Sequence, residues 1–174
     1  CLVLNCTGGT GAATDCVFVK VDTSGSITAG DATDCIFMNC SASTIIYGAA
    51  TGCTLENCED SSQYGCVKEN AEDCTFTNCS SSYGNTYGSS YIVGTTATNC
   101  TFTNCSSFRY GSSYDSSRYI VYDTATNCTI SRCVASQLTG TPSGYKVTNS
   151  VIWNSTITTM KFGSGTNNAA SAYI

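Results

Sequence analysis

Histidine is absent from all 174 residues. That gap removes the imidazole on which Ser-His-Asp and Cys-His catalysis and most zinc hydrolysis depend. Charge is scarce as well: charged residues make up 11% of the chain, with seven basic against twelve acidic residues and a net charge of −5. No basic cluster exists to follow a phosphate backbone, so nucleic acid is excluded as a partner. No run reaches the roughly 18 apolar residues of a membrane-spanning helix, and no window carries the apolar stripe of an amphipathic helix. No two of the fourteen cysteines stand in a Cys-x-x-Cys pair, so zinc ligation is not indicated. Asp15 and Asp34, with Asp22 and Asp31 between them, leave calcium or simple turn capping open. The cations Arg109, Arg118 and Arg132 lie far along the chain from them. The expectation is a protein without catalytic residues, metal or cofactor.

What is abundant is one short unit. Cys100-Thr-Phe-Thr-Asn-Cys105 recurs as Cys1-Leu-Val-Leu-Asn-Cys6, Cys16-Val-Phe-Val-Lys-Val21, Cys35-Ile-Phe-Met-Asn-Cys40, Cys53-Thr-Leu-Glu-Asn-Cys58, Cys74-Thr-Phe-Thr-Asn-Cys79 and Cys128-Thr-Ile-Ser-Arg-Cys133. A copy without cysteine, Ser150-Val-Ile-Trp-Asn-Ser155, ends the series. The copies start 15 to 28 residues apart. Fixed cores with variable spacing suit a β-solenoid, whose loops absorb insertions, better than paired helices of constant length. Alternation within a copy has the two-residue period of a strand. It sets three columns facing inward: the first Cys, the central Phe or Ile, and Asn5, Lys20, Asn39, Asn57, Asn78, Asn104, Arg132 and Asn154. A bend at that Asn explains why the next residue, usually Cys, is also small and apolar. A second inward pair of columns precedes each copy, with Gly8, Ile27, Ile45, Cys66, Ile92 and Ile120 in one and Ala13, Ala32, Ala50, Ala71, Ala97, Ala125 and Val147 in the other.

These units resemble right-handed parallel β-helix proteins of the pectate-lyase-like architecture. In style they are closest to the Phe-x-x-Asn repeats of polymorphic outer-membrane and cell-surface proteins: Phe18, Phe37, Phe76 and Phe102 are followed two residues later by Lys20, Asn39, Asn78 and Asn104. The companion Gly-Gly-Ala-Ile motif is missing. The resemblance implies an all-β fold, a right-handed parallel β-helix of about eight rungs with Cys, Phe/Ile, Ala and Asn ladders. Residues 1–174 read as a single solenoid domain. The chain opens on Cys1 within a repeat, as expected of a processed or partial polypeptide.

Fourteen cysteines point to an oxidising, extracellular or cell-surface setting. A bridge within one copy spans roughly 10 Å of extended chain, beyond the ~7 Å reach of a disulfide, whereas column neighbours lie about 4.8 Å apart. Column pairs such as Cys35 with Cys53, and reduced thiols acting as small hydrophobes, are the two readings.

The outward positions of the early rungs are apolar: Leu2, Leu4, Val17, Val19, Ile36 and Met38, with Val151 and Trp153 in the last. Intervening rungs carry Thr, Glu or Ser there. Such a stripe calls for cover by another chain or element, and no Pro or Lys guards the opening strand edge. Tyr/Ser/Gly-rich segments at 80–92 and 106–120, with Tyr83, Tyr87, Tyr91, Tyr110, Tyr114 and Tyr119, either recognise a ligand or fold over the flank. Of seven Asn-x-Ser/Thr triplets, Asn99 and Asn127 lie in an outward turn column and are the glycosylation candidates. The function expected is a non-enzymatic structural subunit of a surface fibre, appendage or wall, joined to copies of itself or to neighbouring domains. A glycan-binding adhesin is the alternative, and an ice-binding Thr-x-Thr face stands third.

Overall fold

The computed structural model describes residues 1–4, 11–83, 89–109, 118–137, 146–148, 150–159 and 171–172. Side chains are described throughout these except at 83, 108, 109, 118, 136, 137, 146, 148, 156–159 and 171–172. Every pairing between the strands is parallel, and the strands stack into sheets of nine, nine and seven. The chain is a parallel β-solenoid, as its repeats predict.

The Phe face holds the repeat cores, from Leu2–Leu4 through Thr75–Thr77 and Thr101–Thr103 to Val151–Trp153, each in register with the next. A ninth strand, Ser171–Ala172, pairs with Val151–Trp153. The sequence offered no signal for it, since the segment lacks the Cys-x-Phe pattern. The Ala face is built from short strands such as Ala32–Thr33 and Thr96–Thr98. The third face begins as unbroken strands, Asp22–Thr28 and Ser41–Ile46. Later rungs split it, for example into Ser80–Tyr83 and Ser90–Val93, or Ser106–Arg109 and Arg118–Val121. The segments read from sequence as loops at 80–92 and 106–120 therefore begin and end as strand. The tail strand Thr156–Thr159 joins the same face against Val134–Gln137.

In-register stacking sets like upon like inside. Phe18 lies on Phe37 with ring centroids 4.7 Å apart, and Phe76 on Phe102 at 4.8 Å, the ring planes nearly parallel in both pairs. Leu55 and Ile130 continue the column, and all of these side chains are buried. The Ala column and the Ile27, Ile45, Cys66, Ile92 and Ile120 column are buried too. Gly8 lies outside the described residues.

The Asn column is where the structure corrects the sequence reading. Asn39, Asn57, Asn78 and Asn104 face solvent, as do Lys20, Arg132 and Asn154. All have positive φ, between 45° and 54°. A left-handed residue rotates its own side chain out of the strand alternation and carries the following residue back inside. That is why Cys40, Cys58, Cys79, Cys105 and Cys133 are buried one position after an exposed corner. The carboxamides still form a ladder, on the outside: Nδ2 of Asn57 donates to Oδ1 of Asn39 at 3.2 Å, Asn78 to Asn57 at 2.9 Å, and Asn104 to Asn78 at 2.7 Å. A second left-handed corner holds Asp15, Asp34, Gly52, Asp73, Asn99 and Asn127. There Asn127 donates to Asn99 at 3.1 Å and Asn99 to Asp73 at 3.0 Å. A Cβ on Gly52 would strike the Asp34 carboxylate.

Two predictions follow from the core. Phe76→Ala or Phe102→Ala removes half of a stacked pair and should cost about 3–5 kcal/mol in denaturant unfolding; a loss below about 1 kcal/mol would contradict the inward Phe column. Thr28 is the second case. It is fully buried, its hydroxyl has no hydrogen-bond partner, and its column continues as Ile46, Val67 and Val93. Thr28→Val should therefore stabilise the chain by about 1–2 kcal/mol, read in the same unfolding experiment.

Candidate assembly surface

The apolar stripe is set by the pleat. On the Phe face the residues either side of each buried Phe point out, and register aligns Leu2 with Val17 and Ile36, and Leu4 with Val19 and Met38. Leu2 is 65% exposed, Leu4 51% and Ile36 39%, while Val17, Val19 and Met38 are half-buried by their neighbours. The stripe ends at the next rung, where Thr54 and Glu56 take these positions. It reappears in the last copy with Val151, 45% exposed, and Trp153, 51% exposed, whose ring lies 5.8 Å from the Arg132 guanidinium. Val134 extends the apolar surface onto the third face; strand alternation on the Phe face alone does not reveal it.

The tyrosine segments divide. Tyr87, Tyr110 and Tyr114 lie outside the described residues, and Tyr83 is described only as backbone of its strand. Tyr119 is buried, with its ring edge-on to Tyr122 at 5.4 Å. Tyr91 is half-buried against Tyr122, and burial pushes its hydroxyl up to about 12. Tyr119 is thus packed into the flank and not presented to a ligand. The exposed aromatic pair lies elsewhere: Tyr47 and Tyr64 meet edge-on at 6.0 Å, and Lys68 Nζ sits 3.4 Å from the Tyr47 ring centre. The cation occupies the space between the rings.

Asn99 and Asn127 are exposed, as their outward assignment requires. Asn39, Asn78, Asn104 and Asn154 are exposed as well, so facing does not separate the triplets. Asp31, read as a calcium candidate, accepts a 2.9 Å hydrogen bond from the Ala49 backbone N–H of the next rung. Asp22 lies in the strand Asp22–Thr28 and not in a loop.

One buried acid escaped sequence reading. Asp60 is fully buried in a column that also holds Thr23, Ala42, Ser81 and Ser107. Ser81 Oγ donates to it at 2.8 Å and Ser62 Oγ at 3.2 Å, and the chain of hydroxyls continues through Ser90 and Ser107 at 3.0 Å steps. Aligning that column shows Asp60 as the odd member, which is the signal that could have found it. Burial holds its carboxyl up at about 7, against the pull of the Ser81 and Ser62 donors. Since the folded value lies above the unfolded 3.8, the unfolded chain ionises first. Stability is complete below about pH 4 and falls as pH rises to about 7, by on the order of 4 kcal/mol. Asp60→Asn should flatten that slope in unfolding measured from pH 4 to pH 8; an unchanged slope would place the titration elsewhere.

No protein-family model matches the chain, and no curated protein is similar to it. Among solved structures it is similar to QnrB1, a plasmid-mediated fluoroquinolone resistance protein in a trypsin-treated variant, at 12% identity over 94% of this chain and 91% of that one, with a TM-score of 0.23. Superposition that loose carries no argument about fold or role. The parallel pairing described above establishes the solenoid by itself.

Proposed function

We propose that this chain is a non-enzymatic structural unit of an extracellular fibre, appendage or wall, working in longitudinal or lateral series with copies of itself or with neighbouring solenoid segments. The observation that carries this reading is the apolar stripe. Leu2, Leu4, Val17, Val19, Ile36 and Met38 occupy the outward positions of three successive strands, where Thr serves in Thr75–Thr77 and Thr101–Thr103. Both choices fold the same rung, so the apolar one answers to something outside it. A rigid, parallel, in-register rod presents such a stripe as a flat strip, and flat strips join heterologously into filaments when the contact does not close. The likeness of the Cys-Thr-Phe-Thr-Asn-Cys units to Phe-x-x-Asn cell-surface repeats supports the surface setting, as does the cysteine content.

Leu4→Lys with Val19→Glu tests it, opposite charges being chosen because the two residues are register partners. Both side chains are outward, so the rungs should keep their melting behaviour while sedimentation shifts from assemblies towards single chains. A wild-type chain that stays monomeric at high concentration, and whose sedimentation the double variant leaves unchanged, sinks the proposal. If glycans prove to bind the exposed Tyr47 and Tyr64 surface while the chain stays monomeric, the adhesin reading replaces it.

A further inference from the structure

The cysteines form two lines. Register on both flanking faces sets Cys35 beside Cys53, Cys53 beside Cys74, Cys74 beside Cys100 and Cys100 beside Cys128. A second line runs Cys40, Cys58, Cys79, Cys105 and Cys133. All ten are buried free thiols. The first line starts with a bridge already closed: Cys1 and Cys16, neighbours in that column, form a disulfide with Cα atoms 4.3 Å apart.

We infer that each cysteine column oxidises between adjacent rungs, turning stacked thiol neighbours into inter-rung disulfides. The columns repeat the Cys1–Cys16 arrangement rung after rung. A rung spacing of about 4.8 Å already lies in the range a disulfide spans between Cα atoms, and Cys1–Cys16 shows that closure draws two rungs together only slightly. The thiols of both lines reach back to the rung before them, as Cys40 does to the Phe18 carbonyl at 3.6 Å, Cys100 to Ala71 at 3.5 Å and Cys105 to Phe76 at 3.5 Å. Cys74 Sγ accepts the backbone N–H of Cys53 at 3.4 Å and donates to the Glu72 carbonyl at 3.1 Å.

The chemistry needs a disulfide donor. Because the closed columns are buried, the exchange takes place as the rungs fold: a column thiolate attacks one sulfur of a small-molecule disulfide, forming a mixed disulfide and releasing one thiol. The neighbouring column thiolate then attacks the protein sulfur and releases the second. Two cysteines lose two electrons and two protons, and the donor leaves as two thiols.

Geometry restricts the pattern. Pairing only between neighbours makes each column a line, and a line with an odd number of members keeps one thiol, always at an odd place. With Cys1–Cys16 closed, the thiol left over in the first line is Cys35, Cys74 or Cys128, and never Cys53 or Cys100. In the second line it is Cys40, Cys79 or Cys133. Cys66 stands outside both lines on the third face, where its thiol donates to the Ser80 carbonyl at 3.7 Å.

The test is to refold the reduced chain in oxidised and reduced glutathione, cap free thiols, and map bridges by mass spectrometry of proteolytic fragments. Column neighbours alone should be joined, with Cys53, Cys58, Cys100 and Cys105 fully bridged at the plateau. Two variants sharpen it, and Ser150 already occupies the same column beside Cys128. Cys35→Ser leaves three pairs intact in the first line and should lose no bridge. Cys53→Ser splits the line into two groups of three and should lose one, so before capping its intact mass should exceed that of Cys35→Ser by about 2 Da. Bridges across columns such as Cys100–Cys105, free thiols at Cys53 or Cys100, or equal losses in the two variants would overturn the inference. The wild-type map decides it even if neither variant folds.

Discussion

Everything in this solenoid hangs on side chains that accept a left-handed backbone. Twelve described residues other than glycine have positive φ, a conformation that costs an ordinary L-residue about 1–2 kcal/mol. Ten of the twelve are Asn or Asp, the types that bear it most easily. The Asn corner returns part of that cost through carboxamides that bond the rungs on either side. Without the corner the sixth residue of each unit would point outward, and the second cysteine line would have no interior to occupy. Lys20 and Arg132 show that the corner, and not the amide, is the requirement. The ladder bonds are a supplement, so Lys20 and Arg132 hold the corner without a carboxamide.

Stacking like on like also explains the composition. A charge placed in a column meets its own kind about 4.8 Å away in both directions, where repulsion is strong even near a surface. Beyond the adjacent exposed pair Asp15 and Asp34, the chain meets this by diluting charge: Glu56 lies between Met38 and Thr77, and the corner column passes from Asp34 to Gly52 before Asp73. Hydroxyls and amides stack without that penalty, so Ser, Thr and Asn do the work of Lys and Glu elsewhere. Asp60 is the exception that tests the rule, because it survives inside only with Ser81 and Ser62 as donors and with its proton retained to about pH 7.

Columns were legible in the sequence because a stacked core repeats the same residue at each turn: the Cys, Phe, Ala and Ile lines could be written down before any coordinates. The bend at Asn was legible too, yet its direction was not. Strand alternation predicts an inward Asn, and only the sign of φ says that the corner residue turns out while its successor turns in. Splitting of the third face escaped for a different reason. Tyr- and Ser-rich sequence looks like loop by composition, but Tyr119 and Tyr91 are strand residues whose partners lie a whole rung away. The ninth strand carries no repeat at all, since Ser171 and Ala172 gain their strand geometry from Val151 and Ile152. What a rung neighbour imposes, a local pattern cannot show.

The surface stripe has the opposite logic, because there the neighbour imposes nothing. Positions either side of the buried Phe tolerate Thr, Glu, Ser, Val or Leu with the same backbone and the same register. Burial of Phe18 and Phe37 is as complete under Val17 and Met38 as burial of Phe76 is under Thr75 and Thr77. The apolar choice adds no core. It does leave Leu2, Leu4 and Ile36 in water, a standing cost of roughly 25 cal/mol for each Å² of apolar area that a contact could cover. A cost confined to consecutive rungs on one face is one that a single flat partner can relieve at once. The interior therefore explains the rod, and the stripe points to what lies beside it.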